Sequence, residues 1–406
     1  MVSLGAEKWL TKNQRVPRAA VIDMSDGRIL LLSFPSVYGD SAFRTRQVAQ
    51  AFQDAGHAAE IFEIPTTGET GLADRLQAAL QQKTRFILSL DNGWAPSIRG
   101  RPYSDIAQAP HLIWMQKHPG LQAKAIWNTR GCTGALVTDQ EQARYLNINF
   151  GKLSGLREVR VLPMPASELP VRDKDIDLLF VGSAPAVREL KLVNTDALTE
   201  KKAHAVLELY EQGLPLCDAA LQVCQKREGE PLGVAEIAIF NHAAHLALIV
   251  RSRWRWQMLQ AISKAKLPLT IAGLGWKKIA YRFKPAKLIE TSDPDELADL
   301  LARARVILAC DGMRSAGLND RILSAAWAGA AVVCAQPDCP DPLPVAAATA
   351  DRPVATLAKT FLEDEAARQR AVEDLRAAIS AKLLWRHGIE EILSLADSLK
   401  ATYEVV

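Results

Sequence analysis

At 406 residues the chain is long enough for two or three domains, each able to bury a core of its own. It is 49% apolar and 23% charged, as globular proteins are, and a formal net charge of +3 gives no electrostatic reason to invoke nucleic acid or an anionic membrane. Cys132, Cys217, Cys224, Cys310, Cys334 and Cys339 are scattered without a C-x-x-C pair, which speaks against a disulfide framework or a zinc knuckle and leaves reduced, buried thiols. The first twenty residues lack the apolar stretch of a signal peptide, and no run of about 18 apolar residues occurs. The nearest, 234–250, is interrupted by Glu236, Asn241, His242 and His245, so a buried or interfacial helix is expected there, with no transmembrane segment and a cytoplasmic location.

In chain order, the first predicted strand is 28–34 (RILLLSF), an unbroken apolar run followed by the turn Pro35-Ser36-Val37-Tyr38-Gly39-Asp40. Residues 41–55 read as a helix with Phe43, Val48, Ala49 and Phe52 on one side and Gly56 at its end. A strand at 58–64, a helix at 71–82 and a strand at 85–90 continue the alternation. Strands at 111–115 and 134–138, a helix at 139–146 and a strand at 159–162 complete the first half. Such alternation implies a parallel sheet covered on both faces. Pro163, Pro165 and Pro170, followed by the charged run Arg172, Asp173, Lys174 and Asp175, mark a linker.

The second half restarts at 176–182 (IDLLFVG). From about 188 to 266 there is no strand signal, and the segment reads as an insertion of several helices. A strand at 267–272 runs into Gly273-Leu274-Gly275-Trp276. Asp293-Pro294-Asp295-Glu296 is a helix start, with Asp293 as cap, Pro294 at the first helical position and Glu296 completing a capping box. A strand at 306–310, a helix at 320–327 and a strand at 331–335 follow, and amphipathic helices fill most of 355–403. The expected fold class is therefore α/β, with two Rossmann-type parallel-sheet domains, 1–166 and 174–383, facing a cleft. Ligands of open parallel sheets bind beyond the carboxyl ends of the strands, so both sets of ends are expected at that cleft.

Four clusters could carry chemistry. The segment 311–329 (DGMRSAGLNDRILSAAWAG) follows a buried strand and opens a helix, whose first amide groups would form an anion site. Gly317 would permit close backbone approach, and Arg321 in the first turn could clamp a diphosphate. An ordinary turn with a surface arginine is the competing reading. Gly182-Ser183-Ala184-Pro185, with Arg188 beyond it, is a small-residue turn after a first strand, though it lacks the G-x-G-x-x-G spacing. In Gly273-Leu274-Gly275-Trp276 the tryptophan could stack on a flat base or simply pack in the core. In the first half Asp40, Asp91 and His118 lie at strand ends and are candidates for a general base. The plainer alternatives are a helix N-cap for Asp40, turn chemistry for Asp91 and a structural role for His118. Arg251, Arg253 and Arg255 alternate with Ser252, Trp254 and Trp256, a pattern read as the solvated basic face of a helix. There is no H-E-x-x-H, G-x-S-x-G or Walker A motif and no cluster of metal ligands, so no metal site is expected.

The segments IDLLFVGSAPAVREL, RWQMLQAISKAKLPLTIAGLGWKK, GLNDRILSAAWAGAAVV and WRHGIEEIL, in that order, resemble the CgeB-like (spore maturation protein) glycosyltransferases, which are similar to the retaining GT-B enzymes of family four. The resemblance covers mainly 175–393; the first half matches only in pattern, with the entry Ala55-Gly56-His57. It implies a GT-B-like fold and a nucleoside diphosphate sugar, bound as substrate with no other cofactor and no required metal. Gly182, Gly273, Asn319 and Arg321 map onto the family's donor-side motifs, and Ser183, Arg188, Trp276 and Gly317, taken from the residues themselves, complete the candidate donor site. It also implies a sugar, lipid or protein acceptor in the first half, and a last helix, within 384–406, that crosses back onto the first domain.

One departure matters. The family carries a glutamate one turn into the arginine-bearing helix, where it holds the nucleotide ribose; here that position is Ser324. Serine can offer only a weaker hydrogen bond, a difference of roughly 1.5–3 kcal/mol in donor binding. Either another acid such as Asp320 or Asp311 supplies the contact, or the donor sits differently, or the chain is a non-catalytic binding or scaffold protein on a degenerate GT-B fold. In that last case the insertion is the surface for a protein partner.

Overall fold

The computed structural model describes residues 27–35, 40–65, 70–91, 96–151, 155–184, 196–310, 318–335 and 343–403. Six strands build the first sheet: β1 (Arg28–Ser33), β2 (Ala59–Glu63), β3 (Thr84–Leu90), β4 (His111–Met115), β5 (Thr133–Val137) and β6 (Leu156–Val161). All pair in parallel, in the order β2-β1-β3-β4-β5-β6. The second sheet is β7 (Ile176–Val181), β8 (Leu269–Ala272), β9 (Lys287–Ile289), β10 (Ala304–Ala309), β11 (Ala331–Cys334) and β12 (Ala346–Ala347), parallel in the order β9-β8-β7-β10-β11-β12. The expected α/β class, with two Rossmann-type parallel sheets, is what the chain adopts. Order reverses between β1 and β3 in one sheet and between β7 and β10 in the other, and those crevices are where such sheets hold ligands.

Strands buried on both faces need apolar residues at every position, which is why β1 reads RILLLS without alternation. In β4 successive side chains serve opposite layers. Leu112 and Trp114 pack with helix α1 (Asp40–Asp54) and the final helix α11 (Trp385–Tyr403), through Val48, Phe52, Ile392, Leu395 and Leu399. Ile113 and Met115 pack on the other side with helix α3 (Gln140–Phe150). Thus α11, the last helix of the chain, lies on the first sheet. Gly134 of β5 lets it approach, since a Cβ there would meet the Leu399 side chain at 2.5 Å.

The stretch between β7 and β8 supplies α4 (Ala197–Glu211), α5 (Leu216–Val223) and α6 (Val234–Lys264). These helices cover the outer face of the first sheet rather than their own. Val206, Phe240, Ala243, Ala244 and Ala247 join Ile113, Val137, Tyr145 and Phe150 in one core. Helix α6 has 31 residues, about 46 Å at 1.5 Å per residue. Its second half leaves that core and packs Met258, Leu259 and Ile262 against β7 and β8 of the second sheet. A helix serving two cores in turn needs apolar residues on more than one side, which is why α6 is long enough, and apolar enough over an 18-residue window, to resemble a membrane span. Half of that apolar window is buried inside the protein.

The proline-rich linker is also built in. Met164 and Ala166 are 1% and 0% exposed, and the Ala166 amide donates to the Leu383 carbonyl at 2.7 Å. Ala166 and Leu384 form a parallel bridge, so the chain leaves the first domain and returns to it along adjacent paths. Asp293 caps α7 (Pro294–Arg303) through the Asp295 amide. The short strands β9 and β12 lie outside the predicted pattern. Five cysteines, Cys132, Cys217, Cys224, Cys310 and Cys334, are buried free thiols, and Cys339 lies outside the described residues.

Phe240 measures how firmly the insertion is fixed, being fully buried and stacked on Tyr145 with ring centroids 4.4 Å apart. Phe240→Ala is expected to cost about 3–5 kcal/mol in a urea denaturation series. A loss below about 1 kcal/mol would show that α6 is not part of the first-domain core.

Candidate functional site

A pocket opens at the carboxyl ends of the second sheet, on the seam with the first domain, and encloses about 770 Å³ including its mouth. Its floor is the ends of β7 (Val181, Gly182, Ser183) and β8 (Gly273, Leu274) and the chain after β9 (Thr291, Ser292). One wall is the apolar face of α7, with Leu297, Ala298 and Leu301. The opposite wall is the start of helix α8 (Asp320–Trp327), with Asp320, Arg321 and Ser324. Ser167 and Leu169 come from the linker, and Phe43, Arg44 and Gln47 from α1 of the first domain. The lining, mostly apolar with a few convergent polar groups, suits a small-molecule site.

The floor is fixed by a glycine contact. Gly273 has φ +138°, a conformation that side-chain-bearing residues rarely adopt, and a Cβ there would collide with the Gly182 carbonyl. The same carbonyl accepts from Trp276 Nε1 at 2.6 Å, while the Gly182 amide donates to Ala272 O at 2.9 Å. Trp276 is therefore core: it is 1% exposed, wedged edge-on against Phe180 and Phe283, and does not line the pocket. This corrects its reading as a stacking platform. Its indole N–H locks the turn that presents Gly182 and Gly273.

Asn319 caps α8, its Oδ1 accepting from the Ile322 amide at 3.0 Å, so it shapes the helix start. Arg321 lines the pocket one residue beyond Asp320. Ser324 Oγ donates to the Asp320 carbonyl at 2.5 Å and accepts from the Ser167 amide at 2.8 Å. Ser167 Oγ in turn accepts from Gln47 Nε2 at 2.7 Å. Ser324 thus tethers the linker to α8. Asp320, an alternative acid in the sequence reading, is held across the seam by Arg44, with Nε–Oδ2 at 2.7 Å and Nη2–Oδ1 at 2.9 Å. Arg44 Nη1 also donates to Gln116 Oε1. Arg188 and Gly317 lie outside the described residues, as does Asp311.

Two of the first-domain candidates, Asp91 and His118, do not line the pocket. Asp91 has φ +57°, and its Oδ1 accepts from the amides of Gln116 and Lys117 at 2.7 and 3.0 Å. It holds the turn after β4 and so places Gln116, the partner of Arg44. His118 is 3% exposed and lies beside the stacked rings of Tyr145 and Phe240. Its Nδ1 accepts from the Gly120 amide at 3.0 Å, which leaves the proton on Nε2 to donate to Glu141 at 3.1 Å. Glu141 Oε1 accepts from the Cys217 amide at 2.6 Å, so the pair pins the insertion to the first domain. Both residues are corrected from candidate bases to structural groups. The backbone of Asp40 opens α1, and its side chain lies outside the described residues.

Sequence reasoning passed over two arginines. Arg44 lies in the polar row beside the apolar stripe of α1, and its partner is 276 positions away. Arg255 was read as part of a solvated face. Instead its Nε donates to the Cys310 carbonyl at 2.9 Å, at the end of β10, and its guanidinium lies 5.9 Å from the centroid of the Phe180 ring. Of its neighbours, Arg253 pairs with Glu211 and Trp254 packs on Tyr210. Among the described residues no group of three or more His, Cys, Asp or Glu is placed to hold a metal ion.

Fold and pocket together define a two-domain α/β protein with a pocket at the carboxyl ends of its second sheet. Residues 251–394, about a third of the chain, match the family model described as "Glycosyl transferase-like". That stretch holds Gly273, Leu274, the α7 wall and the start of α8. Two solved structures are similar. One is AviGT4, a glycosyltransferase involved in avilamycin A biosynthesis, at 14% identity, covering 92% of this chain and 98% of that one, with a TM-score of 0.49. The other is CalG4, the calicheamicin glycosyltransferase, at 13% identity, covering 93% and 98%, with a TM-score of 0.32. No curated protein matches the chain.

Gly273→Ala should destabilise the fold by more than about 1 kcal/mol in chemical denaturation, because it forces a side chain into a left-handed conformation against Gly182. A second test is pH. Burial raises the pKa of Glu141, but its interactions with His118, the Cys217 amide and Arg144 outweigh it and hold the carboxyl below its ordinary value. A group depressed on folding contributes stability above its unfolded pKa and loses it as pH falls through the folded one. Wild type should therefore lose melting temperature more steeply than Glu141→Gln as pH falls below about 4.5.

Proposed function

We propose that the chain is a glycosyltransferase that moves a sugar from a nucleoside diphosphate sugar to an acceptor bound on the first-domain side of the cleft. The observation that carries this reading is the meeting, in one pocket, of the close Gly182–Gly273 floor with Arg321 at the start of α8. The glycines let a ligand lie against the strand ends. Arg321 and the first amides of α8 would face the diphosphate, whose charge grows as the sugar leaves. On this reading the diphosphate is met by Arg321 and the helix start, so no resident metal is required. The glycosyl transferase-like match of residues 251–394 supports the same assignment, and the CgeB-like resemblance is its finer form.

Ser324 bears on how the donor is held. Its hydroxyl proton is given to the Asp320 carbonyl and one lone pair to the Ser167 amide, which leaves at most one weak acceptor site for a ribose hydroxyl. Asp320 is engaged by Arg44. Donor affinity on this reading comes from the base, the diphosphate and backbone contacts more than from a ribose carboxylate. With Asp91 and His118 committed to structure, Asp40 is the remaining first-domain base candidate, and retention of configuration needs none. The second reading, a degenerate scaffold that binds a protein through its insertion, is favoured only by Ser324.

The test is a thermal-shift series with UDP, GDP, CDP, ADP and dTDP, with and without magnesium. Ligand at about a hundred times its Kd should add about 2.7 kcal/mol, several degrees for domains of this size. The shift with one nucleotide should vanish in Arg321→Ala. No shift with any of the five would transfer support to the scaffold reading.

A further inference from the structure

We infer that Arg44 is a donor-site residue supplied by the first domain, whose guanidinium masks the Asp320 carboxylate so that the pocket accepts an anion. This rests on the proposed nucleoside diphosphate sugar site. Asp320 is the first residue of α8, where a carboxylate favours the helix by facing its positive end. The same position puts a negative charge on the wall of the pocket, next to Arg321. Unmasked, that charge would cancel Arg321 and repel a diphosphate. Arg44 reaches across the seam and covers both carboxylate oxygens, at 2.7 and 2.9 Å. The two side chains are only 12% and 11% exposed, so water screens them weakly. Gln116, placed by the hold of Asp91 on its amide, accepts a third hydrogen bond from Arg44 and fixes its direction.

Taking Arg44 away removes one positive charge from this wall, and removing the Asp320 charge adds one. The two partners of one ion pair therefore act in opposite directions on anion affinity. A clamp that merely holds the domains together would make both substitutions lower it. The pairing also makes donor affinity depend on how the domains meet, because Asp320 is masked only while α1 lies against α8.

The experiment measures binding of inorganic pyrophosphate and of UDP, GDP, CDP, ADP and dTDP by calorimetry to the full chain. The proteins are wild type, Arg44→Gln, Arg44→Lys, Asp320→Asn and the Arg44→Gln/Asp320→Asn double variant, each checked for folding by circular dichroism. Arg44→Gln should weaken binding by about tenfold or more, and Asp320→Asn should strengthen it. The double variant should return toward wild type and Arg44→Lys should stay near it. The Arg44→Gln deficit should shrink as salt rises. If wild type binds a nucleotide but Arg44→Gln and Asp320→Asn are equally weakened and the double variant does not recover, the masking role is overturned while the donor site stands. If wild type binds none of the six probes, the donor-site reading falls and this inference with it.

Discussion

The ion pair between Arg44 and Asp320 constrains how the two domains meet at the cleft. Burying either charge alone is costly, so the folded state must bring α1 of one domain against the start of α8 of the other. Once that contact is made, the other seam contacts follow within one helical turn. Ser324 lies four residues after Asp320, on the same side of α8, and receives the Ser167 amide of the linker. Gln47 lies three residues after Arg44 on α1 and reaches Ser167 from the other side. A pair of charges and a run of hydroxyl and amide groups thus align two helices from different domains, and the pocket lies beside that alignment.

Two apolar braces make the arrangement stiff away from the pocket. Helix α6 leaves the second sheet to cover the first, so a core side chain such as Phe240 stabilises a domain other than the one whose sheet flanks it in sequence. Helix α11 does the reverse, returning after the second domain to close the opposite face of the first sheet over Gly134. The linker and the return path pair at Ala166 and Leu384. Relative motion of the domains must bend α6 and slide this bridge. Small rotations about the seam cost little apolar contact, whereas wide opening would disrupt two cores.

Much of this was legible because buried parallel strands leave an unambiguous trace. The runs Ile29–Leu32, Leu112–Met115, Leu178–Val181 and Ala331–Cys334 carry no polar residue, and each lies in a strand flanked on both sides. Strands of two or three residues at sheet edges, such as Lys287–Ile289 and Ala346–Ala347, carry no such run and are set by their neighbours. The second-domain half of the site was legible for a related reason. Glycines at strand ends and a capped helix start are local signals, and Gly182, Gly273, Arg321 and Ser324 do meet at one pocket. The first-domain half was not, because its content is pairwise and distant. Nothing within ten residues of Arg44 announces Asp320. His118 and Asp91 looked chemical because histidine and aspartate at strand ends are also what a chain uses to tie down its own amides.

Seen from the seam, serine at 324 is coherent rather than a defect. A glutamate there would stand four residues from Asp320 on one helix face, and like charges at that spacing disfavour the helix. It would also be too long to meet the Ser167 amide where the serine hydroxyl does, and would push the linker away or turn into the pocket. With Asp320 already committed to Arg44, the short neutral side chain lets the linker close against α8 and adds no further negative charge to the wall. On the proposed reading, recognition of the donor then moves from its ribose to its diphosphate and base. The domain seam, rather than a carboxylate within the second domain, sets how well that diphosphate is received.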